Sequence, residues 1–373
     1  MKQSEESPLE SPRFLRMSLA AAITLGFKPG LFYRKARLYC INLLLTYRSG
    51  CAARCAYCGL STKRPGSYSE KSFIRVTWPT YPLDDIIERI SQRQDRVKRI
   101  CISMVTNRRA TGDTREVCAR LRSSLDIPVS LLISPTILDH DDLISFREAG
   151  ADKIGVAIDL ATRELFDRYR GTGVGGPHRW EAYWNVLSQS VELFGRGNAG
   201  PHFMVGMGET EKEMCDAMQR ARDMGGTTHL FSFFPEADSL MADHPIPSMG
   251  QYRRVQLARF LIDNRLVRAE EMTYDSTGRI TDFSLSPGEL DRVVDSGRAF
   301  RTSGCVGYDG EVACNRPYAN SRPGPDIRNF PFPPDESDIL RIREQLGWGR
   351  GQTGAPSQTH GTSALPLGTM GGC

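Results

Sequence analysis

Cys51, Cys55 and Cys58 lie in the run Cys-Ala-Ala-Arg-Cys-Ala-Tyr-Cys, with three residues between the first pair and two between the second. Thiolates this close along the chain can share one metal centre. They are one short of the four that a closed structural zinc or iron–sulfur site uses, so a [4Fe–4S] cluster held on them keeps one iron open. An open iron is a place for chemistry. Zinc ribbons and fingers offer a second Cys-x-x-Cys unit or a Cys/His pair downstream, and none follows Cys58 at that spacing.

Two later stretches carry further chemistry. Val205-Gly206-Met207-Gly208-Glu209-Thr210 closes an apolar run and opens a helical pattern. Gly206 and Gly208 let the backbone approach a ligand closely, and Glu209 with Thr210 stands where side chains cap free helix amides. The bland alternative is a tight strand-to-helix turn. Further on come Thr302-Ser303-Gly304-Cys305 and Cys314-Asn315-Arg316-Pro317-Tyr318. Two cysteines in a glycine-containing loop, late in a chain already committed to iron–sulfur chemistry, predict a second cluster. Two thiolates do not complete it, so the strands must lend a ligand: Cys40, in the strand that feeds the cysteine loop, is the first candidate and Cys101 the second. Burial, or a zinc site, is the alternative for Cys305 and Cys314. Cys118 and Cys215 fall on predicted helices among apolar neighbours and read as inert core thiols.

These residues need a scaffold, and the hydrophobic pattern supplies one. Residues 1–12 read as a polar, disordered start, and Pro12 to Gly26 as an amphipathic helix. Apolar runs at Ala36 to Tyr47, Val97 to Val105, Pro128 to Ile133, Lys153 to Ile158, Pro201 to Val205 and His229 to Phe234 read as strands. Helical patterns at Pro82 to Gln94, Thr114 to Leu125, Asp141 to Ala149, Arg163 to Arg170, Glu181 to Phe194, Thr210 to Met224 and Met249 to Asn264 alternate with them. Strands alternating with helices imply right-handed crossovers and a parallel sheet. The expected fold is α/β: a partial (βα)6 TIM-like barrel with catalytic groups at the carboxyl ends of its strands. It divides the chain into a tail and helix over 1–35, the barrel over 36–278, an extension with an auxiliary cluster over 279–347 and a disordered tail over 348–373. The extension, with little helix before Asp335 to Leu346, is expected to wrap across the barrel mouth.

The totals agree with one sizeable globular unit: 373 residues, 40% hydrophobic, 25% charged, net charge +4. No basic block marks a nucleic-acid partner. Glu5, Glu6 and Glu10 disagree with a signal peptide, and the apolar part of Met17 to Phe27 is too short and broken to span a membrane. Ten cysteines, three of them at cluster spacing, fit a reducing compartment, so a soluble cytoplasmic protein is expected.

The cysteine spacing, with Tyr57 before the last thiol, resembles the signature of the radical S-adenosylmethionine (SAM) enzymes. That resemblance implies three irons on Cys51, Cys55 and Cys58, the fourth chelated by the amino and carboxylate groups of SAM, and the Tyr57 segment against the adenine. Gly206-Met207-Gly208-Glu209-Thr210 resembles the Gly-x-Gly-Glu-Thr segment that biotin and lipoyl synthases place beside the SAM methionyl and ribose groups. Ile100 to Asn107 stands where many relatives carry Gly-Gly-Glu against the SAM amino group. That segment is absent here, and Ser103 to Thr106 are expected to contact SAM instead. Asp159 either accepts from the ribose hydroxyls or caps the helix that follows.

Biotin synthases keep a second cluster inside the barrel on three cysteines and an arginine, and only Cys101 stands at such a place. Single-chain lipoyl synthases carry an N-terminal cysteine triplet and a terminal Arg-Ser-Ser-Tyr, both missing here. Over residues 12–347 the chain most resembles one subunit of the two-protein lipoyl synthase. The likeness rests on Ser-Gly-Cys…Ala-Cys-Asn-Arg-Pro-Tyr, on Gly173 to Trp184 with Pro177-His178-Arg179-Trp180, and on His229 to Glu236. It implies a sulfurtransferase that adds sulfur at C6, C8 or both of an octanoyl chain amide-linked to a carrier-protein lysine. The sulfur would come from an auxiliary [4Fe–4S] cluster on Cys305 and Cys314. Implied partners are the octanoylated lipoyl-carrier protein, a partner radical SAM synthase subunit, and an electron donor such as ferredoxin or flavodoxin. The alternatives are a biotin synthase-like or other cofactor-building enzyme whose late cysteines are structural, and a non-catalytic iron–sulfur scaffold.

Overall fold

Every apolar run expected as a barrel strand forms one, and the order in which they pair fixes where the cysteines go. The computed structural model describes residues 9–34, 36–317, 324 and 327–347. The expectations for residues 1–8, Tyr318 and the 348–373 tail with Cys373 lie outside the described residues. In chain order the strands are β1 (Phe14–Met17), β2 (Cys40–Leu45), β3 (Thr80–Pro82), β4 (Arg99–Ser103), β5 (Val129–Ile133), β6 (Ala151–Asp159), β7 (Ala199–Val205), β8 (His229–Ser232), β9 (Thr273–Tyr274) and β10 (Ile280–Asp282). The α-helices are α1 (Leu19–Thr24), α2 (Leu83–Ser91), α3 (Ala110–Ser124), α4 (His140–Glu148), α5 (Arg163–Tyr169), α6 (Trp180–Phe194), α7 (Glu211–Met224), α8 (Met249–Asp263), α9 (Pro287–Asp295) and α10 (Glu336–Leu346).

Strands β2, β4, β5, β6, β7 and β8 are parallel neighbours in that order, which is the partial TIM-like barrel. Side chains alternate faces along each strand. Ile100 and Ile102 of β4 therefore join the main core, whereas Cys101 and Ser103 line interior cavities. Parallel register repeats this across the sheet: Cys101 lies beside Asn42 and Ser130, and His202 beside His229. The helices are bounded by their own chemistry. Thr210 and Glu213 form a capping box at the start of α7, and Gly225, at φ 105°, ends it in the left-handed conformation that glycine adopts freely.

Three expectations are corrected. Pro12 to Gly26 is not one helix: β1 pairs antiparallel with β2 (Leu15 opposite Leu45) and with β3, and only the short α1 follows. Pairing wins because it buries Leu15 and Met17 fully and lets buried Arg16 donate to the carbonyls of Tyr68, Lys71 and Trp78, fixing the loop after the cysteines. The extension does contain helix before Asp335, namely α9, started by a Ser286/Glu289 capping box with Pro287 at its first turn.

The cysteine-bearing part of the extension also lies on the barrel floor, at the amino ends of the strands, not across the mouth. Arg99, the first residue of β4, donates to Val306 O at 2.5 Å. The ring of His229, which opens β8, meets Ser303 O at 2.5 Å, and Leu230 N donates to Ser303 Oγ. Each helix of a βα unit runs back against its strand, so after α8 the chain emerges on the floor side.

Candidate active site

At the carboxyl ends of the strands a chamber of about 200 Å³ is lined by Cys51, Cys55 and Cys58 together. All three sequence-predicted thiols thus meet at one place. The loop that carries them is tied down by its backbone: Ala52 N donates to Thr106 O (2.7 Å), Ala56 N to Tyr169 O (2.7 Å) and Thr62 N to Ala53 O (3.1 Å). Two backbone amides already point at the sulfurs, Thr106 N to Cys51 Sγ and Leu60 N to Cys58 Sγ, each at 3.4 Å. Such hydrogen bonds tune iron–sulfur centres. Burial pushes the Cys55 thiol up to about 11 and raises that of Cys58, so cluster binding must release protons.

Among the described residues no three His, Cys, Asp or Glu side chains converge tightly enough for a single ion. Three thiols from one loop lining one chamber are the donor set that leaves one iron of a [4Fe–4S] cluster open.

Ser103, Thr106, Tyr57 and Asp159 all line the same chamber. Tyr57 donates its hydroxyl to Asp159 Oδ2 (2.6 Å), and Arg170 Nη1 donates to the same oxygen (2.5 Å). Asp159, at φ 67° on the last residue of β6, is therefore no helix cap; Thr162 caps α5. Gly206, Gly208 and Glu209 stand at the end of β7 but are not among the lining residues. Gly206, at φ 101°, packs against the Pro247 ring, 2.5 Å from where a Cβ would lie. Glu209 folds back to accept from Gly206 N (2.7 Å) and Met207 N (2.9 Å), and burial pushes its carboxyl up to about 7.

One wall of the chamber is a strained turn that sequence reasoning missed. Phe73 and Val76 bond to each other through their backbones, with Ile74 and Arg75 between them at φ 54° and 59°. Such a turn favours Asn-Gly, and a β-branched residue there is strained. Glu236 holds it, accepting from Arg75 N (2.5 Å) and Ser72 Oγ (2.9 Å).

Below the chamber lies the second group. Cys40, Cys101 and Cys314 form one buried cluster with Cys305 packed against it, so both strand candidates stand beside the late pair. A tight return places the late pair side by side: Ala313 N and Cys314 N both donate to Cys305 O (3.0 and 3.1 Å). Gly304 permits it, because a Cβ there would lie 2.0 Å from Cys314 O. Asn42 Nδ2 stands 3.7 Å from the sulfurs of both Cys40 and Cys314, Arg316 Nε is 3.4 Å from Cys314 Sγ, and His229 Nε2 is 3.8 Å from Cys305 Sγ.

The Cys40 thiol hydrogen bond, then the Arg316 charge, hold the Cys314 thiol well below its usual value against burial; burial and Cys314 raise that of Cys40. Against burial, His229 and Arg99 hold Cys305 down. The cavity among these groups is about 20 Å³, room for about one water. A cluster would require the four thiols to turn apart.

Leu132, His202, Phe231 and Arg316 line both cavities and so form the partition between mouth and floor. Asn42, His202 and His229 were legible as polar residues on the interior face of apolar strands; Arg170 and Glu236 carried no local signal.

Residues 46–221 match the family model of the radical SAM superfamily, and this stretch, with the cysteine loop near its start, is a radical SAM domain. The cofactors of that domain are a [4Fe–4S] cluster and SAM. Cys40, Cys305 and Cys314 lie outside the matched stretch. No curated protein matches the chain.

Among solved structures it is similar to TsrM, a radical SAM methyltransferase from Kitasatospora setae with cobalamin and a [4Fe–4S] cluster bound, at 15% identity over 75% of this chain and 49% of that one, TM-score 0.38. The archaeal Methanocaldococcus infernus Elp3 follows at 11% identity, covering 48% of each chain, TM-score 0.36. The HMG-CoA lyase from Brucella melitensis is 15% identical over 72% of this chain and 85% of that one, TM-score 0.34. The chain spans about half the length of the first of these. Among the described residues no helix is long and apolar enough to cross a membrane.

Proposed function

We propose that this protein inserts sulfur into an unactivated carbon of an aliphatic chain, as one component of a two-protein lipoyl synthase acting on an octanoyl-lysyl carrier protein. The observation that carries the reading is the gathering of Cys40, Cys101, Cys305 and Cys314 directly beneath the chamber, separated from it only by the partition residues. With both bound, the mouth cluster with SAM and a reductant would supply the hydrogen-abstracting radical, and a floor cluster would supply sulfide, its irons taking up the electron released as the carbon–sulfur bond forms.

The chain's own residues do the rest. Met104, Val105, Met204, Phe231, Phe233 and Phe234 give the chamber an apolar lining that suits an alkyl chain and excludes water. Tyr57, Asp159 and Arg170 lock its wall through shared hydrogen bonds. Arg316, spread over the Phe231 ring at 5.4 Å while bonded to Cys314, holds positive charge at the boundary between the two cavities. Asn42 and Arg316 place donors against the Cys314 sulfur and favour its thiolate, the form that binds iron.

Four thiolates would saturate a floor cluster, which also suits a structural or electron-relay centre, and this second reading makes the opposite prediction. Incubating the protein, alone and with a partner synthase, with an octanoyl-lysyl carrier peptide, SAM and reductant should give peptide heavier by added sulfur. 5′-Deoxyadenosine without any sulfur gain under either condition, or continued sulfur insertion by Cys305→Ala, would remove the proposal.

A further inference from the structure

His178 precedes α6 and is 1% exposed, yet it lines the chamber. Its Nδ1 lies 2.5 Å from Thr136 Oγ1 and 2.8 Å from the Tyr183 hydroxyl. Neither Thr136 nor Tyr183 lines the chamber, so Nδ1 is on the far edge of the ring and the edge with Nε2 faces inward. Among the described residues Nε2 has no hydrogen-bond partner.

The surrounding donors decide which nitrogen carries the proton. A guanidinium only donates, and Arg170 Nη2 gives a hydrogen bond to the Tyr183 oxygen at 3.1 Å. The Tyr183 oxygen, already accepting from Arg170, has its own proton to give to Nδ1, and this assigns the ring hydrogen to Nε2. Burial, and then Arg170 and Arg179, push its pKa down to about 2, so it stays neutral. An N–H that opens into the chamber is a donor for whatever fills it, a role that an apolar residue on the same wall could not take.

We infer that His178 is a ligand-binding residue whose Nε2–H donates one hydrogen bond into the chamber, to a carbonyl, carboxylate or hydroxyl oxygen of the bound molecule. Arg170 joins this donor to the Tyr57–Asp159 contact, so both respond to one guanidinium. The acceptor belongs either to SAM or to the amide of an acyl-lysyl arm; only the second source rests on the sulfur-insertion reading.

The test uses the reconstituted holoprotein without reductant. Nitrogen NMR of histidine-labelled protein should show His178 protonated on Nε2 and unchanged between about pH 6 and 9, since the free ring titrates near 6.5. His178→Phe should weaken binding of SAM or of an octanoyl-lysyl peptide by about tenfold, and His178→Gln, which keeps a donor, should restore most of it. A loss confined to SAM assigns the oxygen to the cofactor, and one confined to the peptide assigns it to the substrate. Should wild type not bind the peptide, the sulfur-insertion reading fails while this one is decided by SAM alone. A proton on Nδ1, or a His178→Phe holoprotein with both affinities intact, overturns the inference. If His178→Phe loses the mouth cluster, the Gln variant and the NMR assignment decide it.

Discussion

The mouth and the floor of this barrel each gather cysteines, and they do so by opposite means. At the mouth all three thiols come from one eight-residue loop, held by backbone hydrogen bonds to neighbouring loops. At the floor two come from adjacent strands and two from a return that arrives much later in the chain, with Asn42 and Cys314 272 residues apart. Burial raises the mouth thiols Cys55 and Cys58 and the floor thiols Cys40 and Cys101 alike, and at the floor Arg316 and His229 also hold two thiols, Cys314 and Cys305, down. A local loop leaves one coordination position open by construction. A site built from tertiary contacts can be complete, and its ligand charge is balanced by side chains.

The sharpest break between the two sites should come from single cysteine changes. Cys51→Ala, Cys55→Ala or Cys58→Ala should drop reductive SAM cleavage to background, measured as 5′-deoxyadenosine. Cys305→Ala or Cys314→Ala should leave that cleavage at the wild-type order of magnitude and abolish sulfur transfer to an octanoyl-lysyl peptide. Equal loss of both activities in all five variants would mean the sites are not separable.

Next in size, Arg170→Met strands Asp159 in a wall where the two side chains are 6% and 17% exposed. Breaking a buried pair from one side costs about 3–5 kcal/mol, and partial exposure puts the expected loss at about 3 kcal/mol by urea titration. An unchanged midpoint would show that Asp159 is solvated once its partner is gone.

How far the sequence reaches follows the same division. Cys51, Cys55, Cys58 and Tyr57 were legible because their geometry is set within one loop. The strand and helix pattern was legible because six runs alternate with helices. Cys40 was separable from other cysteines by its strand, but that Cys101 joins it depends on a register in which Asn42 lies beside Cys101. No periodicity tells that a late loop turns under the floor, so the extension was expected at the wrong end. β1 was misread because four residues fit a helix and a strand equally, and pairing with β2 decided it. The wall formed by His178, Arg170 and Asp159 joins residues on β6, α6 and the segments between, and no spacing rule brings these together.

Smaller effects sharpen the picture of the mouth. Glu209 keeps a proton in the folded state, with its value raised from 4.5 to about 7, that the unfolded chain has already lost. Its stabilising effect is thus full below about pH 4.5 and is lost as pH rises through about 7, by about 3 kcal/mol. Glu209→Gln should flatten that slope in melting curves taken from pH 5 to 7.5; a parallel slope would contradict the buried, protonated carboxyl. Smallest, Ile74→Gly should be more stable than Ile74→Ala by about 1 kcal/mol, since both remove the side chain and only glycine relieves the left-handed backbone. The reverse order would mean that the turn is not strained.

The central claim is that the two cysteine groups hold separate centres. Its most direct test is the iron content and Mössbauer spectrum of a variant with Cys51, Cys55 and Cys58 all changed to alanine, reconstituted beside wild type. Wild type should hold about eight irons per chain and the variant about four, still as a four-iron cluster. A variant without iron, beside a wild type with only about four, would contradict a second centre on Cys40, Cys101, Cys305 and Cys314.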